Sequence, residues 1–279
     1  MNIRIVAAIL LLLGISLGAP LGAEEAPSAN PYLGDIWTRS TLSGDWWGLR
    51  NDLAAKGVTL DTRQSAAVLV LEPAFGRRGA LKTARKGVGD YTVTVHGRAA
   101  HSGLEIQKGH SAIVELARQI TRIAGFNERK RGITVNPGVI QGGTRSNVVA
   151  AEASAVVDVR VAQMADAARV EKKFRSLRPF DPNCRLEISG GVNRPPLERS
   201  EKVVALFRLA QQVAREMGWT PQEAAVGGGS DGNFTAALGI PTLDGLGAVG
   251  DGAHALHESV VISELPRRTA LLARLIETI

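Results

Sequence analysis

The order in which hydrophobic periodicity changes between residues 88 and 191 leaves few folds open to this chain. Tyr91-Thr92-Val93-Thr94-Val95 is β-branched and alternating, which predicts a strand with one buried face. Ser111 to Ala124 carries Ile113, Leu116, Ala117, Ile120 and Ile123 at helical spacing. Strands are predicted at Ile133 to Ile140 and Ser154 to Val161, then a helix from Ala165 to Leu177 and a last strand from Cys184 to Ile188. An order β-α-β-β-α-β folds as a four-stranded antiparallel sheet with both helices on one face. About 100 residues of that kind are enough to fold as a unit.

Composition narrows the function classes. A single cysteine, Cys184, excludes an intramolecular disulfide and a Cys-rich zinc site. The formal charge of +6 invites a nucleic-acid reading, but that needs basic residues gathered on one face. Here Lys and Arg are scattered. The densest group, Glu128-Arg129-Lys130-Arg131, reads as a helix C-terminus before Gly132, where basic side chains meet the dipole favourably. No nucleic-acid partner is expected.

The first 65 residues have a different character. Arg4, the apolar run Ile5 to Leu17 and the small residues up to Ala23 have the layout of a secretory signal. The expectation is export, to the periplasm. Three of the four tryptophans, Trp37, Trp46 and Trp47, fall before residue 65. The stretch from Leu42-Ser43-Gly44-Asp45-Trp46-Trp47-Gly48-Leu49-Arg50 to Leu60 resembles the N-terminus of outer-membrane carbohydrate-selective porins. No train of alternating strands follows it, so a porin barrel is not expected. The expected organisation is a signal peptide at 1–23, a porin-like segment at 24–65 and a catalytic-domain fragment at 66–87. A lid or dimerisation domain at 88–191 and the later part of the catalytic domain at 192–279 complete it.

Three motifs in the middle domain carry a second resemblance. Gly97-Arg98-Ala99-Ala100-His101-Ser102-Gly103 follows the first strand, Gly142-Gly143-Thr144-Arg145-Ser146-Asn147-Val148-Val149 forms a later loop, and Asp158-Val159-Arg160 lies on a strand. In that order they resemble the lid of the zinc-dependent aminoacylase/carboxypeptidase family that includes glutamate carboxypeptidase, acetylornithine deacetylase and succinyl-diaminopimelate desuccinylase. The resemblance implies an α/β fold in which a ferredoxin-like βαββαβ lid is inserted into a zinc-peptidase catalytic domain. It implies a homodimer through the lid and a small N-acyl amino acid or peptide as substrate. His101 would then be catalytic, reaching the partner subunit's site to hold the carbonyl oxygen as it becomes an oxyanion. Preorganised donors supply several kcal/mol to such a step. Asn147 would be a substrate-facing amide.

The flanks resemble the same family's catalytic domain. Val68-Leu69-Val70-Leu71-Glu72-Pro73 is an apolar strand ending in a carboxylate, and the resemblance makes Glu72 a terminal ligand to one of two zinc ions. Carboxylates at the ends of parallel strands are well placed, because open α/β sheets bind ligands there. Gly252-Ala253-His254-Ala255-Leu256-His257-Glu258 resembles the segment that ligates the other zinc, with His254 at the ligand's place; His257, three residues on, is able to share such a site. In Gly227-Gly228-Gly229-Ser230-Asp231-Gly232, the residues Gly228, Gly229 and Ser230 would bind the substrate carboxylate through backbone N–H groups. Arg194 would pair with that carboxylate.

The family's remaining metal-site motifs have no counterpart. No histidine precedes His96, and no Glu-Glu pair follows Glu24-Glu25. Two ligands fall short of the three protein ligands typical of a catalytic zinc. The expectation is therefore a metallopeptidase-type amide hydrolase, incomplete and inactive alone, with zinc binding in doubt. The alternatives are a non-catalytic dimerisation module and a porin-derived exported protein.

Overall fold

The computed structural model describes residues 66–253 and 255–279. The expected signal peptide and porin-like segment, and His254, lie outside the described residues. In chain order the elements are β1 (Val68–Leu69), β2 (Leu81–Arg85), β3 (Gly87–His96), α1 (Ala112–Ala124), β4 (Thr134–Gly142), β5 (Glu152–Val161), α2 (Met164–Arg175) and β6 (Arg185–Arg194). Then follow α3 (Glu201–Glu216), β7 (Glu223–Val226), α4 (Gly232–Ala237), β8 (Thr242–Leu243), β9 (Gly250–Asp251), β10 (Ser259–Val260) and α5 (Leu265–Thr278). The described residues form two units, one of residues 86–195 and one of residues 66–85 with 196–279.

Residues 86–195 build one antiparallel sheet in the order β4-β5-β3-β6. β3 is central because every second residue is apolar: Tyr91, Val93 and Val95 are fully buried, while Thr92 and Thr94 face the other way. Val157, Val159 and Val161 of β5 join the same face, and α1 and α2 close it with Leu116, Ile123, Val170 and Phe174. Tyr91 and Phe174 stack with ring centroids 3.9 Å apart, and Phe126 meets Phe174 edge-on at 5.5 Å. β4 carries Pro137 and a register shift between Pro137 and Val139. An edge strand tolerates both, since its outer side makes no ladder bonds.

The predicted order of strands and helices is the one observed, with strand ends extended by a few residues. The basic run Arg129–Arg131 differs. α1 ends at Ala124, and the run forms its own 3₁₀ turn closed by Gly132 in the left-handed region at φ 75°.

In the other unit β1 pairs with β8 and β2 with β7, both parallel, and a bridge between Lys82 and Asp244 joins the two pairs. Leu206, Phe207, Ala210 and Val213 of α3 and Leu271 and Leu275 of α5 pack with Leu81 and Leu243 of the strands. Ser200 caps α3 by accepting from the Val203 N–H. Arg268 of α5 is 3% exposed and donates to the carbonyls of Gly79, Gly247 and Gly245, tying three turns together. Burial pushes its pKa down to about 10, with Arg267 adding to the effect.

Candidate active site

In the unit of residues 86–195 two of the predicted residues come together. The loop after β3 and the loop after β4 are joined by hydrogen bonds from Ser102 N to Asn147 O (3.0 Å) and from Val149 N to Ala100 O (2.9 Å). His101 bridges Val148, so His101 and Asn147 stand side by side, both exposed. The His101 ring has a defined orientation: its Nδ1 accepts from the N–H groups of Gly103 and Leu104, each at 3.2 Å. A nitrogen that accepts two N–H bonds carries the lone pair, so the proton of the neutral ring sits on Nε2. His101 thus offers an N–H donor from the outer edge of its ring.

Beside these loops lies a groove of about 650 Å³, lined by Ser102, Thr144 and Arg145 together with Ile106, Ile113 and Val114. Arg145 is exposed and shares the loop with Asn147. Arg160 makes a two-pronged ion pair with Asp158, at 2.7 to 3.0 Å. That pair raises the guanidinium's affinity for its proton. Arg194 is the last residue of β6, opposite Val88 of β3.

In the unit of residues 66–85 and 196–279, Glu72 follows β1 and its side chain is 39% exposed. The glycine loop lies between β7 and α4, and it is organised by a residue that sequence reasoning missed. Arg85 makes a bidentate pair with Asp244, Nε to Oδ2 and Nη2 to Oδ1, both at 2.8 Å. Its Nη1 donates to Gly228 O at 3.0 Å and approaches Gly229 O at 3.5 Å. Its Nη2 lies 3.8 Å from Glu72 Oε2. The side chains of Arg85 and Asp244 are 4% and 0% exposed, so the pair is strong by geometry and shielded from water. Carbonyls drawn towards Arg85 leave the Gly228 and Gly229 amides without an acceptor among the described residues. Ser230 is committed within the protein. Its hydroxyl donates to Asp244 Oδ2 (2.5 Å) and its N–H to Asn233 Oδ1 (2.9 Å).

Lys82, on β2, is 8% exposed. Burial, and then the charge of Arg85, hold its ammonium below lysine's usual range against the opposing pull of Asp244 and Glu72.

One sequence signal could have found this network. Asp244 ends a short apolar strand before Gly245, the placement that singled out Glu72. Among the described residues no three His, Cys, Asp or Glu side chains converge as a metal centre. The described residues therefore do not by themselves fit the zinc pair that the resemblance implies, and no step is assigned to a metal here.

The fold defines the chain as an α/β protein in which a ferredoxin-like βαββαβ unit interrupts a second α/β unit. Residues 83–178 match the family described as a peptidase dimerisation domain of M20 type. The chain is 30% identical over 213 residues to carboxypeptidase G2 of Pseudomonas, covering 75% of this chain and 51% of that protein. It is 28% identical over 205 residues to succinyl-diaminopimelate desuccinylase of Wolinella succinogenes, covering 71% and 55%. Among solved structures, the aminopeptidase PepT of Bacillus cereus superposes with a TM-score of 0.65 at 24% identity, covering 78% of this chain and 59% of that one. A tripeptidase of Staphylococcus aureus gives 0.67 at 21%, with the same coverage. The chain thus carries an M20 peptidase dimerisation domain and is a homologue of carboxypeptidase G2 and of the desuccinylase. It spans about half the length of these curated relatives.

Proposed function

We propose that this chain is the lid and later catalytic portion of a dimeric amide hydrolase. The reaction would release an amino acid from an N-acyl or peptide bond, with glutamate carboxypeptidase-like specificity. The observation that carries this reading is the pairing of His101 and Asn147 on joined loops, with the His101 Nε2–H turned outward. An N–H donor held in place beside a carboxamide suits a carbonyl oxygen that gains charge as water adds to the amide. The Gly228 and Gly229 amides would hold the substrate's carboxylate, and Arg85 keeps them turned that way. Ser230 serves this site by fixing the loop through Asp244 rather than by touching substrate.

Glu72 and His254 would be this chain's contributions to the two-zinc site that the resemblance implies, where the metal would supply the activation of water. The reading includes export to the periplasm, which rests on residues 1–23, and it holds this chain inactive without partner residues for the early ligands and the general base. A non-catalytic dimerisation module is the second reading, favoured by a complete lid with no metal cluster among the described residues.

Complementation separates the two. The chain is co-expressed with the N-terminal catalytic half of a relative, and amino-acid release from an N-acyl glutamate is assayed with and without added zinc. Zinc-dependent release that drops with His101→Ala supports the hydrolase. A folded dimer that binds the complementing half yet releases nothing leaves the module.

A further inference from the structure

The loop that carries His101 is closed at its base by groups that no motif singled out. Arg98 and His110 exchange both backbone hydrogen bonds, each 2.9 Å, so residues 98–110 form a closed loop with His101 inside it. Gly97 leaves no slack beneath them, since a Cβ there would sit 2.1 Å from His110 O. The side chains lock the same two residues. Arg98 Nε donates to Lys108 O at 2.5 Å, and Arg98 Nη2 lies 3.1 Å from His110 Nε2. On the opposite edge of the ring, His110 Nδ1 lies 2.8 Å from Asp181 Oδ2.

The Arg98 contact favours the neutral ring. A guanidinium only donates, so His110 Nε2 must accept, and the ring proton sits on Nδ1, donated to Asp181. Asp181 is held in turn: Asn183 N donates to its Oδ1 at 2.9 Å, and its own N–H donates to Glu115 Oε2 at 2.9 Å. Glu115, 1% exposed, belongs to α1 and also accepts from Phe180 N at 3.0 Å. The chain of bonds therefore runs from the His101 loop through His110 and Asp181 into the helix that roofs the sheet.

We propose that His110 is a positioning residue whose neutral ring locks the His101 loop shut, and that protonation of the ring releases the Arg98 side of the lock. A second proton on Nε2 would set N–H against N–H and cation against cation. Asp181 keeps its bond in either state. The charged or titratable groups about this ring are Arg98 and Lys108 of the loop, Asp181, Glu115 of α1 and the buried Cys184. The Cys184 thiol is pushed up by burial and then by Asp181 and Glu115, so it stays neutral throughout. The significance for catalysis rests on the reading of His101 as a substrate-facing donor; the lock itself does not.

The test uses the full chain, without activity. Imidazole ¹⁵N shifts near pH 8 should show His110 protonated on Nδ1 and His101 on Nε2; Nε2 protonation at His110 would overturn the proposal. Amide exchange is then followed from about pH 8 to pH 5, the range in which histidines change charge, as protection factors corrected for intrinsic rates. Protection of the Arg98, Ser102 and His110 amides should fall by about tenfold in the wild type, the size expected for one charge-assisted hydrogen bond. In His110→Gln, whose amide donates to Asp181 and accepts from Arg98 at every pH, protection should stay high and flat. An equal pH-dependent loss in His110→Gln, or no loss in the wild type, sinks the proposal. Because nothing here reads amino-acid release, a failed complementation assay and a failed lock are separate results.

Discussion

At the scale of single residues, the least expected feature is how much charge the unit of residues 66–85 and 196–279 buries. Arg85 and Asp244 lie almost wholly out of water and satisfy each other and the glycine loop. Removing one partner strands the other, which costs about 3–5 kcal/mol in buried pairs. Asp244→Asn and Arg85→Met should each lower stability by that order in urea titrations. The double variant Arg85→Met with Asp244→Leu should recover part of the loss. Glu223 offers a pH test. Arg199, at 2.8 and 2.9 Å, and then the Thr83 hydroxyl hold its carboxyl below the usual 4.5. A depressed folded-state value means that the stabilisation is complete above the ordinary carboxylate range. It is lost as pH falls through the lowered value, because the unfolded chain takes up its proton first. Glu223→Gln should therefore be less stable than wild type near neutrality, with the gap closing in acid. Solvent at this part-exposed pair keeps the gap small. A gap that widens on acidification would contradict the assignment.

At the scale of elements, legibility followed the match between pattern and burial. β3 and α1 were readable because their apolar periods of 2 and 3.6 are the faces they bury. β2 was not, because Leu81-Lys82-Thr83-Ala84-Arg85 reads as a half-polar segment although it lies at the centre of its unit. Its polar atoms are accommodated by partners distant in sequence: Thr83 donates to Glu223 across 140 positions and Arg85 to Asp244 across 159. No local pattern encodes such pairs. His110 was missed for the same reason, since Asp181 lies 71 positions away. Where local signals do exist they support quantitative expectations. Ser111 caps α1 by accepting from the Val114 N–H at 3.3 Å, so Ser111→Ala should cost about 1 kcal/mol. Phe174 of α2 fills the layer between Tyr91 and Phe126. Phe174→Ala should cost about 3–5 kcal/mol, and a Tyr91 fluorescence change on thermal unfolding at correspondingly lower temperature would register it.

At the scale of the molecule, the lid's two sheet edges are unequal, and that inequality says where a second copy would join. The β6 edge is partly closed from within: Arg175 donates to Ile188 O at 2.6 Å and to Gly190 O at 3.4 Å. The β4 edge is closed only at its start, where the Asn127 side chain accepts from Val135 N at 3.0 Å and donates to Val135 O at 2.9 Å; further along it exposes Val139 and Ile140 at 52% and 59%. Ile113 and Val114 of α1, also exposed, continue this surface, Ile113 lying against the backbone of Gly142 and Gly143 where β4 ends. An exposed apolar stretch of edge is a template for pairing with another chain. For a domain that matches a peptidase dimerisation domain, the prediction is that two β4 strands meet here across a two-fold axis. The double variant Val139→Lys with Ile140→Lys adds charge to this edge at two exposed positions, one on each face of the sheet. Light scattering should then report a dimer for wild type and a monomer for the variant, with unchanged far-ultraviolet circular dichroism. A variant that remains dimeric would move the interface away from β4, and with it the expectation that His101 acts across a partner.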